Sequence, residues 1–190
     1  MRTIILMCFL LLPFASVKAD YDLYTDTTYS KFQYKWYGAS EATFTMDLPT
    51  IGYGINHSSG FGSRIAYGKS GRSRPNRESK HYDDFIIGLD SYYELEFNYS
   101  HALTNELSLF AGVGFYRQEV PIHGVDNTLV RYDRDDDHGY FTGVSYRADD
   151  ISILLTAKQT SIIGDGSGKS DTVALGSTMR QIGITVRVYF

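Results

Sequence analysis

Four short constellations in this chain carry residue types able to do chemistry. Gly164-Asp165-Gly166-Ser167-Gly168-Lys169-Ser170 holds the glycines, lysine and hydroxyl of a loop that cradles phosphate with backbone N–H groups. The pattern G-x-x-x-x-G-K-[ST] requires glycine where Ile163 stands, and no helical periodicity follows, so the stretch reads as a flexible loop. Asp133, Asp135, Asp136 and Asp137, followed by His138 and Gly139, suggest a calcium loop. The sixth and twelfth positions, which need glycine and glutamate, hold His138 and Val144. A solvated acidic loop is the reading preferred over a looser Ca²⁺ or Mg²⁺ site. Serine and histidine adjoin only at His57-Ser58-Ser59 and Ser100-His101. A nucleophilic serine acting on lipid would need a histidine and a carboxylate converging on it near the outer leaflet. The fourth constellation is basic: Lys69, Arg72, Arg74, Arg77 and Lys80 face a single Glu78 between Lys69 and His81. Such a loop pairs with phosphate, sulfate or carboxylate groups, or is simply solvated.

The elements that must position these residues follow a period of two. At the carboxyl end, Ile182, Ile184, Val186, Val188 and Phe190 are apolar, while Gln181, Gly183, Thr185, Arg187 and Tyr189 interleave. A strand with this alternation has one greasy face and one polar or small face. The same pattern predicts strands at 28–37 (Phe32, Tyr34 and Trp36 against Gln33 and Lys35), 49–56, 61–68, 85–103, 107–117, 139–147 and 151–161. In the long run from 85 to 103, Phe85, Ile87, Leu89, Tyr93, Leu95, Phe97 and Tyr99 share one phase. The segments 38–48, 69–81, 118–137 and 163–177 read as long loops. His57–Gly60, Thr104–Glu106 and Ala148–Asp150 read as tight turns. Residues 20–27 read as a polar, tyrosine-rich lead, and Phe44, Met46 and Leu48 alternate out of phase with the strand that follows them.

Before these strands lies a leader. Arg2, the apolar run Ile4–Leu12 and the small residues at Val17-Lys18-Ala19 mark residues 1–19 as a signal peptide, with 20–190 as one mature domain. The apolar run is too short to cross a bilayer as a helix, and no other stretch approaches 18 consecutive apolar residues. The only cysteine, Cys8, leaves with the leader, so the mature chain has neither disulfide nor thiolate chemistry. The full chain carries 18 Lys+Arg against 22 Asp+Glu, a net charge of −4, and loss of Arg2 and Lys18 takes this to −6. That balance, with an exported address, argues against nucleic-acid binding. Sixteen tyrosines, eleven phenylalanines and eighteen glycines suit aromatic girdles and tight turns.

Greasy alternating strands after an export signal, ending on an aromatic residue, predict an all-β fold: an eight-stranded antiparallel transmembrane β-barrel in the outer membrane. Strands in hydrocarbon must close into a ring, because an unpaired backbone group there costs several kcal/mol. Short turns alternate with long loops, which puts the turns and both termini on the periplasmic side. Lys35, Arg64, Glu94, Glu96, Arg147, Lys158 and Arg187 all fall on the phase opposite the greasy one. They are expected to form a polar network in a lumen that side chains fill, since eight strands enclose little more. Both Ser/His pairs then fall at periplasmic ends, away from the outer leaflet.

With strand number, phase and loop asymmetry in place, residues 28–190 resemble the small OmpX/Ail-type outer-membrane barrels. The residues that carry the resemblance are Ile182, Ile184, Val186, Val188 and Phe190, with the strand pair around Thr104-Asn105-Glu106. Phe190 is similar to the terminal signal read by the barrel-assembly machinery. The resemblance implies strands projecting beyond the membrane and a role in adhesion or resistance to host defence. The expectation is therefore a monomeric barrel without cofactor, metal site or enzymatic activity. It would contact outer-membrane lipid and lipopolysaccharide and offer the basic loop to an extracellular ligand. A narrow OmpW-like transport barrel is the alternative, and a lipid A-modifying hydrolase the third.

Overall fold

The computed structural model describes residues 20–37, 41–74, 86–123, 129–164 and 175–190, less the side chains of 34–37, 41–42, 122, 129–137, 161–164 and 175–178. Eight strands, β1 (Tyr21–Tyr37), β2 (Glu41–His57), β3 (Phe61–Ser73), β4 (Ile86–Ala102), β5 (Leu107–His123), β6 (Leu129–Ala148), β7 (Ile151–Gly164) and β8 (Leu175–Tyr189), form a closed barrel in chain order. Every neighbour is antiparallel, and β1 closes on β8 from Tyr24↔Tyr189 to Tyr37↔Gly176. The tight turns lie at one end together with both termini. Ser58 N–H donates to Asp20 at 2.8 Å, and Tyr189 N–H donates to Asp150 at 2.8 Å. Gly60 takes φ 94° in the first of these turns, a left-handed conformation glycine adopts without steric cost. The leader, residues 1–19, lies outside the described residues.

Several segments read as irregular in the sequence are strand. β1 begins at Tyr21 and takes in the polar lead, because Tyr24, Asp26, Thr28 and Ser30 alternate inward against Thr25, Thr27 and Tyr29. β2 begins at Glu41, so 41–48 is not loop: Phe44, Met46 and Leu48 keep the phase of β2 and point inward. Phe32 is also inward, with none of its surface exposed, and Gln33 faces out, the reverse of the expected phase. β5 continues to His123 and β6 starts at Leu129, so most of 118–137 is a projecting hairpin. The acidic run at 133–137 is therefore strand backbone paired with β5. β3 carries Lys69 and Arg72 and ends at Ser73, and 163–177 loses residues at both ends to β7 and β8. In β4, a register shift between Ile87 and Ser91 switches phase, which turns Ile87 and Leu89 inward while Tyr93, Phe97 and Tyr99 face out.

The wall has two storeys. Towards the turn end, outward residues form an apolar belt: Ile182–Phe190 on β8 and Leu107–Phe115 on β5 alternate exposed apolar side chains over nine residues each. That length is what a tilted strand needs to cross a bilayer. Above the belt each strand presents an outward polar residue: Lys31, Asp47, Lys69, Asp90, Arg117, His138, Gln159 and Arg180 in order. At the collar and beyond it the interior turns apolar, with Phe32, Phe44, Met46, Leu48, Ile87, Leu89, Tyr92, Tyr116, Val120 and Met179 in one buried cluster.

The wall also parts above the collar. The β2–β3 ladder stops at Thr50↔Gly68, although both strands continue. The β6–β7 ladder stops at His138↔Ser161, while β5–β6 pairing runs on to His123↔Leu129. Among the described residues, backbone ladders at this height join β7-β8-β1-β2 and β3-β4-β5-β6, two sheets that face each other through the apolar cluster, with Ser73 Oγ donating to Thr45 O at 2.8 Å between β3 and β2.

Candidate functional site

At belt level the interior holds an ion cluster. Arg64 on β3 lies across the lumen. Its Nε donates to both oxygens of Asp26 at 2.9–3.0 Å and its Nη2 to Asp26 Oδ1 at 2.9 Å and Thr28 Oγ1 at 3.2 Å. Its Nη1 meets Glu94 and lies 3.3 Å from Glu96. Lys158 Nζ bridges the same two carboxylates, at 2.8 Å from Glu94 and 2.6 Å from Glu96, and Tyr116 donates its phenol to Glu96 at 3.2 Å. Arg187 stacks over Tyr24 at 3.7 Å and reaches Asp26 at 3.4 Å. Three cations thus meet three carboxylates, all at least nine-tenths buried in side-chain terms. Buried charge demands such compensation, because removing an ion from water costs several kcal/mol.

Glycine makes the room. A Cβ on Gly52 would stand 2.8–2.9 Å from Arg64 Nε and Nη2, so the guanidinium lies against bare backbone there. Above the ions, Gln181 donates through Nε2 to Ser30 at 2.7 Å and accepts at Oε1 from the Tyr92 hydroxyl at 3.3 Å. Tyr92 stacks on Tyr116, with ring centroids 6.1 Å apart, and begins the apolar cluster that fills the outer storey.

Of the residues expected in the lumen, Arg64, Glu94, Glu96, Lys158 and Arg187 meet in this cluster. Arg147 stands at its turn-end rim, paired with Asp22 at 2.6 Å and stacked over Tyr189 at 3.9 Å. The Lys35 side chain lies outside the described residues. Asp26, which binds two of the three cations, escaped notice because Thr25 and Thr27 dilute the alternation around it. In the basic segment Lys69, Arg72 and Arg74 are exposed, whereas Arg77 and Lys80 lie outside the described residues. Phe190 is exposed at the lower edge of the belt, 6.2 Å from Tyr53 ring to ring. His57 Nδ1 and Ser59 Oγ bond at 2.6 Å in a turn at the barrel mouth. On the outer surface Lys31 pairs with Asp47, which holds the Asp47 carboxyl below its ordinary range. Among the described residues no group of His, Cys, Asp and Glu has the geometry of a metal site.

Closed eight-strand topology, an outward apolar belt and an ionic interior define a transmembrane barrel of the small outer-membrane type. Solved structures share the fold. Neisserial surface protein A superposes with TM-score 0.58 at 16% identity, over 90% of this chain and 98% of that one. The outer membrane protein AlkL follows at 0.56 and 12%, over 93% of each. Ail, the attachment invasion locus protein of Yersinia pestis, solved with the heparin analogue sucrose octasulfate, gives 0.52 and 8%, over 87% and 98%. No family model and no curated protein sequence matches the chain.

Proposed function

We propose that this chain is a monomeric outer-membrane barrel whose work is done at the cell surface, by binding an extracellular partner rather than by passing solutes. One observation carries the reading: the strands run on past the membrane belt as a two-sheet head with a solid apolar interior. Beyond His138, β6 pairs only with β5, so its backbone from Asp137 to Leu129 offers a ladder edge among the described residues. An extended polypeptide adds to such an edge through main-chain hydrogen bonds. On the other edge of the same sheet, β3 and the residue after it display Lys69, Arg72 and Arg74, with Arg77 and Lys80 following in sequence. This suits a sulfated or acidic partner, and a heparin analogue is what Ail was solved with. Under this reading the collar cations Lys31, Lys69, Arg117 and Arg180 would meet lipopolysaccharide phosphates, and exposed Phe190 would serve as the signal for the assembly machinery.

The test has two arms. In planar bilayers the purified barrel should give no steady single-channel current. Cells displaying it should retain heparin, and substitution of Arg72, Arg74 and Arg77 by Gln should abolish that retention. Steady conductance, or retention untouched by the three substitutions, would return the narrow transport reading. A mass change in lipid A on expression would return the hydrolase.

A further inference from the structure

The turn end of the barrel contains a cavity of about 470 Å³, bounded towards the outside by Arg64, Glu96 and Lys158. That volume lies within the range of small-molecule sites, roughly 300–1,000 Å³. Its lining is of two kinds. Phe110, Phe141 and Leu154 form a separate apolar cluster on β5, β6 and β7, at a level where inward residues are otherwise mainly polar. Gly143 leaves room for the Phe110 ring: a Cβ there would stand 2.5–3.0 Å from ring atoms, so the ring would have to shift.

The adjoining strand β8 carries Arg187, whose backbone partner on β7 is Ser152, two residues from Leu154. Arg187 is 8% exposed, and its Nε has no hydrogen-bond partner among the described residues. Its ion pair, at 3.4 Å, is with an Asp26 that already binds Arg64 through both oxygens. Arg64 and Lys158 share Glu94 and Glu96, and Arg64 takes Asp26 as well, so Arg187 is the least compensated buried cation of the cluster. Asn56 Oδ1, on the same lining, is also buried without a partner. Arg147 adds a second cation at the mouth.

We propose that this cavity binds a small organic anion, entering from the turn end, with its carboxylate on Arg187 and an aromatic or branched apolar body against Phe110, Phe141 and Leu154. The site is separated from the extracellular head by the ion cluster and the apolar interior, so it does not depend on the surface-binding reading.

The probe is phenylacetate, titrated against the full barrel in lipid nanodiscs, with phenethylamine and 2-phenylethanol as controls of matching body. Nuclear magnetic resonance shifts at Gly143, Leu154 and Arg187 should saturate, while Leu48 and Leu89 in the head stay unmoved. A charge-assisted hydrogen bond should favour phenylacetate by about tenfold over either control, and Arg187→Gln should remove that preference. Ser152→Phe, which puts a ring into the cavity and leaves Arg187 in place, should abolish binding and decides the matter if the first variant does not fold. The proposal is overturned if the three probes bind equally. It is also overturned if shifts appear only at lipid-facing Ile184 and Val186, or if saturable binding survives Ser152→Phe in a folded barrel.

Discussion

The belt and the head of this barrel are the same strands with opposite chemistry. On β8, Ile182, Ile184 and Val186 face out and Thr185 and Arg187 face in; on β1 and β2 at the collar, Lys31 and Asp47 face out and Phe32 and Leu48 face in. Direction along β1 and β2 never changes; the solvent outside does. Where hydrocarbon surrounds the wall, apolar residues belong outside and charges must be neutralised within. Where water surrounds it, the ordinary rule of a soluble sheet returns, with apolar residues inside. Thus inward and outward are set by the barrel, and polar and apolar by the height above the turns.

The largest effect should come from the ion cluster. Arg64→Met leaves Asp26, Glu94 and Glu96 with only Lys158 and Arg187, and breaking a buried ion set by removing one partner costs about 3–5 kcal/mol. Urea unfolding in lipid vesicles should show the midpoint falling and the unfolding free energy reduced by that amount. A variant that also replaces Glu94 by Leu should recover much of the loss. If Arg64→Met is neutral, the membrane-level interior is wet, and the contrast with the head weakens.

Next comes the head. Leu48 is fully buried, and Leu48→Ala should cost about 2–5 kcal/mol of local stability. The effect should stay above the collar: amide exchange should quicken at Phe44, Met46 and Leu89 and remain slow at Thr28 and Thr185. Equal quickening in both storeys would mean that they unfold as one unit.

These storeys explain what could be read in the sequence. Strands such as 107–115 and 182–190 were legible because one alternation meets one solvent throughout. Phe44, Met46 and Leu48 were misplaced because their greasy residues occupy the phase that is polar nearer the turns, so a rule fitted to the membrane strands rejects them. The hairpin 118–137 looked like a loop for a related reason: on β5 the outward phase there carries Glu119 rather than an apolar residue. Ile87 and Leu89 fell on the wrong face because a register shift is invisible to a strict period of two. The ion cluster was partly legible, since Arg64, Glu94, Glu96, Lys158 and Arg187 share a phase, but strand phase cannot show which partners meet across a lumen.

A matched pair of substitutions measures the change of solvent directly. Ile184→Arg places a cation on the lipid-facing belt and should cost about 2–4 kcal/mol. Gln33→Arg makes the same outward change above the collar, beside the level of Lys31, and should leave the urea midpoint unmoved. Equal costs would mean that the belt extends upward over the head.

The smallest expected effect fixes where the boundary falls. Lys31 and Asp47 are directly paired across β1 and β2 and are at least half exposed. Just below them, Tyr29 and Ile51 are exposed apolar residues of the belt. If the collar stands in water, separating the pair leaves two hydrated charges, and exposed ion pairs contribute little. Asp47→Asn should therefore leave the midpoint where it is, in low salt as in high. Were the pair embedded in lipid, the same change would strand an unpaired lysine in hydrocarbon and destabilise the barrel as strongly as Ile184→Arg. A null result for Asp47→Asn beside a large loss for Ile184→Arg places the upper edge of the membrane between Tyr29 and Lys31, two residues apart on a single strand.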